Sequence, residues 1–587
     1  MLDVDIGAVP WSRWGSYMTL STLVRELDHP GRDQSVEPGL YLFDVSGCRF
    51  FGSWNGVFRL EGLAGDVATP LRVRSASPSL LVLDSGTGSI EVAWDGPDTL
   101  RFVGRGTALR LTQTVADPLG SAIAFPRGER SWHLLMGGNP HYLATSLVGQ
   151  LSVRAPRVRT GPTEAPDGKV VDIRPVGEAG FELALTQYET GVVEPTQPRA
   201  FEDCVRETEG LFRTWLSTQP PVPEGYEAAR AQAAYVTWSC VVGPRGLLSR
   251  PAMLMSKNWM FATWSWDHCF NALALAQGQA DLAWDQLMTP FDQQHPDGAL
   301  PDLVHDHGRM YGFVKPPVHG WTVRKLAAAG VITDERLAQL YPRLAGWTDW
   351  WLTYRDADGD GLCEYHHGND GGLDNGTVYD VGLPIIGPDL AAFLILQMDA
   401  LADLADRLGQ PEDARSWRRR ADDMLDKLIE RLWDGERFLA VRADDRTTNE
   451  QSESIVPFLP LVLGERLPVD VRRKLVAGFV GSGLLTDFGP ATERPGGELY
   501  QADGYWRGPI WAPTTLLIVD GLAACGEAGL ASEVARRFVQ TCHASGFAEN
   551  FEATSGRPLR DPAYSWTASV FLVLASEYVA PRSSTRS

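Results

Sequence analysis

The chain has 587 residues, of which 44 % are hydrophobic and 22 % charged, enough apolar material for a large core. Its formal charge of −21 excludes nucleic acid and anionic membrane as partners, because phosphates would be repelled. No apolar run reaches the roughly 18–20 residues needed to span a bilayer, and MLDVDIGAVPW has neither the basic nor the apolar region of a signal peptide. The seven cysteines (Cys48, Cys204, Cys240, Cys269, Cys363, Cys525 and Cys542) are odd in number and form no CxxC pair, so free thiols and a cytoplasmic location are expected.

Residues 1–200 read as an antiparallel β-sandwich domain. GLYLFDVSGCRFFGSWNGVFRLEGL, LRVRSASPSLLVLDSG, GSIEVAWDG, TLRFVGRGTALRLTQTV, ATSLVGQLSVRAPRV and FELALTQYET alternate apolar and polar residues between turn residues. Residues 201–225 are a linker. A helix over 201–218, with Phe201, Val205, Leu211, Phe212 and Leu216 apolar, is stopped by the three prolines of TQPPVPEG.

From Tyr226 to the end, residues 226–587, the period changes to 3.6. Asp389–Leu408 is apolar nearly all round in its first half and predicts a fully buried helix. The next helix, from Pro411 to Trp433, has one stripe of Ala414, Trp417, Ala421, Leu425, Leu428 and Leu432 and predicts a surface helix. About twelve such segments, alternately buried and amphipathic, predict a mainly α architecture of two concentric rings, an (α/α)6 barrel. A βα-barrel would show an apolar strand before each helix.

Loops between inner helices converge on the central cavity of such a ring, so their polar and aromatic residues are the candidates for function. WSWDHCF offers Trp264, Trp266 and Asp267, with Asp267 equally readable as a helix cap. The Pro-rich turns QQHPDGALPD and KPPVHGW offer Gln294, Lys315, His319 and Trp321. DADGDG carries Asp356, Asp358 and Asp360 in the order of a calcium loop. Position twelve is His367 instead of the required Glu, so an Asx turn feeding a short LCEY hairpin is the stronger reading. GNDGGLDNGTVYD then interrupts the helices with four glycines that let backbone approach a ligand and project Asp374. GGELYQADGYWRGPIWAP supplies Gln501, Tyr505, Trp506, Arg507 and Trp511, and GFAENF places Glu549 between two phenylalanines.

Two carboxylates on opposite loops of an aromatic cavity suit glycoside hydrolysis, in which one protonates the leaving oxygen and the other attacks or activates water. Spacing and composition do not choose Asp374 and Glu549 from Asp267, Asp370, Asp380, Glu498 and Asp503.

In their order along residues 226–580, WSWDHCF, KPPVHGW, HHGNDGGLDNGTVYD, YWRGPIW and FAENFEATSGRPLRDPAYSW resemble glycoside hydrolase family 63, especially its bacterial mannosylglycerate and glucosylglycerate hydrolases and related α-glucosidases. The resemblance implies an inverting α-glycosidase on an (α/α)6 barrel behind a β-sandwich. It implies Asp374 as general acid and Glu549 as general base, with roughly 6.5–9.5 Å between carboxyls for the attacking water. Gly376 stands where the family commonly has Ser, and Tyr379 where it has Trp, both beside the acid. The expected partner is a small carbohydrate, an α-glucoside or α-mannoside, with no metal and no organic cofactor. Competing readings are a phosphorylase using Arg557 and Arg560, a lyase using Lys315 and His319, and a non-catalytic carbohydrate-binding protein.

Overall fold

The structure, a computed structural model, describes residues 2–22, 37–47, 56–114, 123–136, 140–155, 168–177, 180–189 and 199–579. It has an antiparallel, sheet-rich amino-terminal region followed by a helical domain. Among the described residues no helix is long and apolar enough to cross a membrane.

The amino-terminal strands form two sheets. One runs in the order Met18–Ser21, Leu40–Asp44, Gly56–Ala64, Ala108–Gln113, Val170–Arg174 and Gln150–Arg154, with Val67–Pro70 also paired to Gly56–Ala64. The other has eight strands and centres on His141–Val148, Phe181–Tyr188 and Thr99–Arg105. Alternation decides the facing: in Phe181–Tyr188, Phe181, Leu183 and Leu185 are buried while Glu182, Ala184 and Thr186 are half-exposed. Strands Met18–Ser21, Ala124–Arg127, Ser131–Leu134 and Val170–Arg174 add to those read from sequence. The RFF and SWN portions of the long first stretch, and Cys48, lie outside the described residues.

The helices are α1 (Phe201–Thr218), α2 (Glu227–Cys240), α3 (Asp267–Leu275), α4 (Ala280–Asp292), α5 (His319–Ala328), α6 (Asp334–Tyr354), α7 (Pro388–Arg407), α8 (Pro411–Leu432), α9 (Val469–Gly481), α10 (Ala512–Ala524), α11 (Ala528–Ser545) and α12 (Ser565–Leu574). On α1 the buried residues are Cys204, Thr208, Phe212 and Trp215, while Leu211 faces solvent. The Trp215 indole, bonded to the Ala234 carbonyl at 2.9 Å, turns the buried face away from the stripe read by apolarity alone. Arg230 of α2 donates to the carbonyls of Leu216, Gln219 and Pro220, satisfying acceptors that the prolines leave open.

Helix α7 is buried continuously from Pro388 to Met398, and α8 buries one face, with Met424 taking the place expected of the half-buried Leu425. Residues Val456–Arg466 form a 3-10 segment, since Pro457 and Pro460 withhold the amides an α-helix needs and Gly464 breaks it at φ 51°. Packing closes a circuit: α3 on α5, α5 on α7, α7 on Val456–Arg466, that segment on α10, α10 on α12 and α12 back on α3. Outside it, α4 packs on α3, α6 and α8 on α7, α9 on Val456–Arg466, α11 on α10 and α2 on α12. LCEY does not fold back as a hairpin. Tyr365 bridges Ile385, and Ile385–Ile386 pairs with Val441–Arg442.

The two regions meet beneath one small sheet. Strand Leu303–His305 pairs with Thr263–Trp264 and with Gly308–Met310. His305 bonds the Val45 carbonyl at 3.0 Å, and Asp306 accepts from the Gly47 amide at 3.1 Å. The amino-terminal region thereby supports the strands that present Trp264, Leu303 and Met310 to the cavity described next.

Candidate active site

The segments leading into the circuit helices surround a cavity of about 160 Å³. Trp266 and Asp267 stand at the start of α3, Trp511 immediately before α10 and Tyr564 immediately before α12. Lys315 precedes α5, and Asp374 lies on the long approach to α7. All six line the cavity, together with Trp264, Tyr505 and Trp506. Eight of these nine were nominated from sequence, and Tyr564 joins them.

Aromatic packing builds the wall. Trp506 stacks on Trp511 with centroids 3.8 Å apart and planes within 8°. Trp566 meets Trp266 and Trp511 edge-on at 5.9 and 5.6 Å. Tyr505 adopts φ 65°, a left-handed conformation costly for a non-glycine residue, and the Trp511 indole holds it through a 2.8 Å bond to its carbonyl. That conformation brings the Tyr505 hydroxyl to 3.3 Å from Asp374 Oδ2.

The loop bearing Asp374 is fastened at both ends. Asp370 accepts from Arg355 and from the amides of Val314, His366 and His367, so it is a structural anchor. Asn375 accepts from the Trp506 amide at 2.9 Å and donates to the Gly504 carbonyl at 3.0 Å, tying this loop to the aromatic one. The loop glycines are needed for contacts within the protein. At Gly372, with φ 74°, a Cβ would come within 2.8 Å of the Trp266 ring; at Gly371 it would lie 1.9 Å from the Tyr379 hydroxyl.

Electrostatics centre on Lys315. Its ammonium donates to Asp374 Oδ1 at 3.1 Å and lies 3.6 Å from Asp302 Oδ1. Burial opposes its charge, but Asp374, Asp302 and Asp267 together override burial and raise its pKa. Burial pushes the Asp302 carboxyl up to about 6 and raises that of Asp267 well above the usual range, with Lys315 pulling both back. Among the described residues, Asp267 Oδ2, Asp302 Oδ1 and Trp506 Nε1 are buried and make no hydrogen bond. All three atoms belong to residues that line the cavity, and two acceptors and a donor without hydrogen-bond partners match the hydroxyls of a sugar, which give and take hydrogen bonds in turn.

Glu549 is buried between Phe547 and Phe551. Its amide donates to the Asp561 carbonyl at 2.7 Å, and its carbonyl accepts from the Trp566 indole at 3.4 Å. It is not among the residues lining the cavity, and it acts electrostatically on two that are, Tyr505 and Tyr564. After burial, its charge contributes to raising both phenols, and on Tyr505 it acts after that of Asp374. Tyr505 therefore stands between the influence of the two carboxylates.

Other residues nominated from sequence serve the scaffold. Gln294 bonds the carbonyls of Gly298 and Arg343. His319 is the first residue of α5 but turns inward to the Ser265 carbonyl, and burial depresses its pKa to about 3. Trp321 donates to Asp520. Gln501 is exposed, and Arg507 pairs with Asp380 and the Asn375 carbonyl. Arg560, one of the two cations of the phosphorylase reading, is engaged by Asp503 and Asn550. Asp356, Asp358 and Asp360 cluster, but Asp358 and Asp360 each accept the amide two residues on in Asx-type turns, Asp356 accepts the Gly361 amide, and Arg431 pairs with Asp360 at 2.6 Å. A guanidinium so placed does not fit a calcium site.

Sequence reasoning passed over Asp302, Tyr564 and Trp566, although each lay in a quoted motif. Their signal was position: Tyr564 is the residue immediately before a buried helix, as Trp511 is.

Residues 260–567, just over half of the chain, match the family described as the mannosylglycerate hydrolase MGH1-like glycoside hydrolase domain. A mannosylglycerate hydrolase from Rubrobacter radiotolerans is 23 % identical over 57 % of this chain and 98 % of its own length. A glucosylglycerate hydrolase from Mycolicibacterium hassiacum is 24 % identical over 53 % and 90 %. Among solved structures, a family 63 mannosylglycerate hydrolase of Thermus thermophilus with glucose matches at TM-score 0.52 and 22 % identity, over 59 % of this chain and 99 % of that one. A bacterial glucoamylase complexed with acarbose matches at TM-score 0.61 and 11 % identity over 99 % of this chain and 94 % of that one, a likeness of fold that extends through the sheet-rich region.

Proposed function

The chain belongs to glycoside hydrolase family 63 and is a glycosidase, and from that premise we propose that it is an inverting α-glycosidase acting on a small α-glucoside or α-mannoside. Asp374 is the general acid and Glu549 the general base. The observation that carries this reading is the placement of Tyr505, bonded to Asp374 and within the field of Glu549, on the wall of an aromatic cavity. Asp374 protonates the glycosidic oxygen while Glu549 takes the proton of a water attacking the opposite face of the ring. Trp266, Trp506 and Trp511 bound the apolar face of the sugar. Asp267 and Asp302 accept its hydroxyl protons and Trp506 donates to a hydroxyl oxygen.

The same proposal takes the helical domain, residues 226–587, as an (α/α)6 barrel and residues 1–200 as a β-sandwich, joined through 201–225. The closed packing circuit with its outer partners supports the first, and the two antiparallel sheets with inward apolar faces support the second.

An NMR time course on α-linked glucosides and mannosides tests the mechanism. The β-sugar should appear first. Asp374→Asn and Glu549→Gln should each lower kcat by about 10²–10⁴-fold or more. Early α-sugar would mean retention and remove Glu549 as base.

A further inference from the structure

We infer that the glycoside cleaved here carries a neutral aglycone instead of a carboxylate-bearing one such as glycerate, and that Asp302, by balancing Lys315, sets this preference. The inference rests on the α-glycosidase reading above and concerns the other side of the scissile bond.

A carboxylate taken from water into a cavity must find a cation or several donors to replace its hydration. Lys315 is the sole cation among the described residues lining this cavity, and it is already committed. It donates to Asp374 and pairs with Asp302, with Asp267 also acting on it. When Asp374 carries the proton it will deliver, Asp302 alone balances the ammonium. Once Asp374 has given the proton up, carboxylates outnumber the ammonium. Glu549, nearby, adds negative charge until it takes the proton of the attacking water. The partial positive charge at the start of α3 falls on Asp267, its own first residue. Two guanidinium groups on the neighbouring loops are paired as well, Arg507 with Asp380 and Arg560 with Asp503. At no stage does the site offer a surplus of positive charge.

An apolar part of the lining points the same way. Met260, Met310 and Phe313 contribute apolar surface, and Phe313 is backed by His367, stacked on it at 4.2 Å. Thioether and aromatic faces of this kind suit the C–H face of a second sugar ring or another uncharged group, and give a carboxylate nothing to bond.

The test compares kcat/KM for the α-glucoside and α-mannoside of glycerate with those of glycerol, in which a hydroxymethyl group replaces the carboxylate, and with neutral α-linked disaccharides. The best neutral compound should exceed its best carboxylate counterpart by at least about tenfold, because like-charge juxtaposition costs several times thermal energy. Asp302→Asn should shift that ratio towards the carboxylate by about threefold or more, a change in preference that a mere loss of fold would not produce. Preference for the glycerate conjugates, or equal rates, overturns the inference and leaves the glycosidase reading intact. An unchanged ratio in Asp302→Asn removes the role assigned to Asp302. Cleavage of no member of the panel overturns the α-glycosidase reading and this inference with it.

Discussion

Two lysines of this chain are almost equally hidden, Lys257 at 2 % exposure and Lys315 at 5 %, yet their surroundings drive them apart. Lys257 lies at the seam between the amino-terminal segment and the helical domain. There it donates to the Ser12 hydroxyl at 3.0 Å and to the Ser16 carbonyl at 2.5 Å. Neutral oxygens do not repay the loss of hydration, so burial pulls its pKa down to about 7, with Cys240 resisting slightly. Lys315 faces three carboxylates and is held charged despite burial. Burial sets the cost of a charge, and the partner decides whether the charge persists.

Removing each ammonium is the hardest way to break the comparison. Lys315→Met leaves Asp374, Asp302 and Asp267 buried together without a counter-charge. It should destabilise the fold by about 3–5 kcal/mol in urea unfolding. Lys257→Met should cost less than about 1 kcal/mol at pH 7, or stabilise, because a neutral thioether needs no counter-charge. Equal losses would show that burial alone governs both sites.

A pH series sharpens it. The folded pKa of Lys257 lies below its unfolded value of 10.5, so the unfolded chain binds more protons between about pH 7 and 10.5. Its contribution to stability therefore rises with pH across that window and amounts to roughly 2 kcal/mol from pH 7 to 9. Lys257→Met should lose that rise. A wild-type curve identical to that of the variant would contradict the account.

The carboxyl counterpart is opposite in sign. Asp389, buried at the start of α7, is raised to about 6 by burial, although the Tyr365 hydroxyl bonded to it pulls the other way. The native state holds its proton more tightly, so its contribution to stability is greatest near and below pH 3.8 and is lost as pH rises to about 6. Asp389→Asn should remove a fall of roughly 2 kcal/mol between pH 4.5 and 6, measured by thermal or urea melts.

The residues read from sequence that line the cavity are those where chemistry and chain position coincide. Trp266, Asp267, Tyr505, Trp506 and Trp511 sit beside helix starts that a 3.6 period or a proline announces, and such starts open onto the cavity. Gln294, His319, Trp321, Gln501 and Arg507 share the same loops but do not line it. A motif places the backbone, but the direction of a side chain depends on what is packed beside it. His319 bonds the Ser265 carbonyl, a partner 54 residues away. Asp302 is not legible in the sequence, because an aspartate after Leu-Pro reads as an ordinary turn residue until Lys315 is seen 3.6 Å from it.

The amino-acid order by itself determined the change from strand to helix period, the burial of α7, the prolines that end α1, and the motifs that carry the family resemblance. These are local, because periodicity and turn chemistry act over a few residues. Only the tertiary structure decided that Lys315, from one loop, is shared by Asp302, Asp374 and Asp267 from three others, and that Tyr505 reaches Asp374. Charge balance in a cavity is a sum over groups distant in sequence. It has no value until the chain has brought them within a few ångströms of one another and removed the water between them.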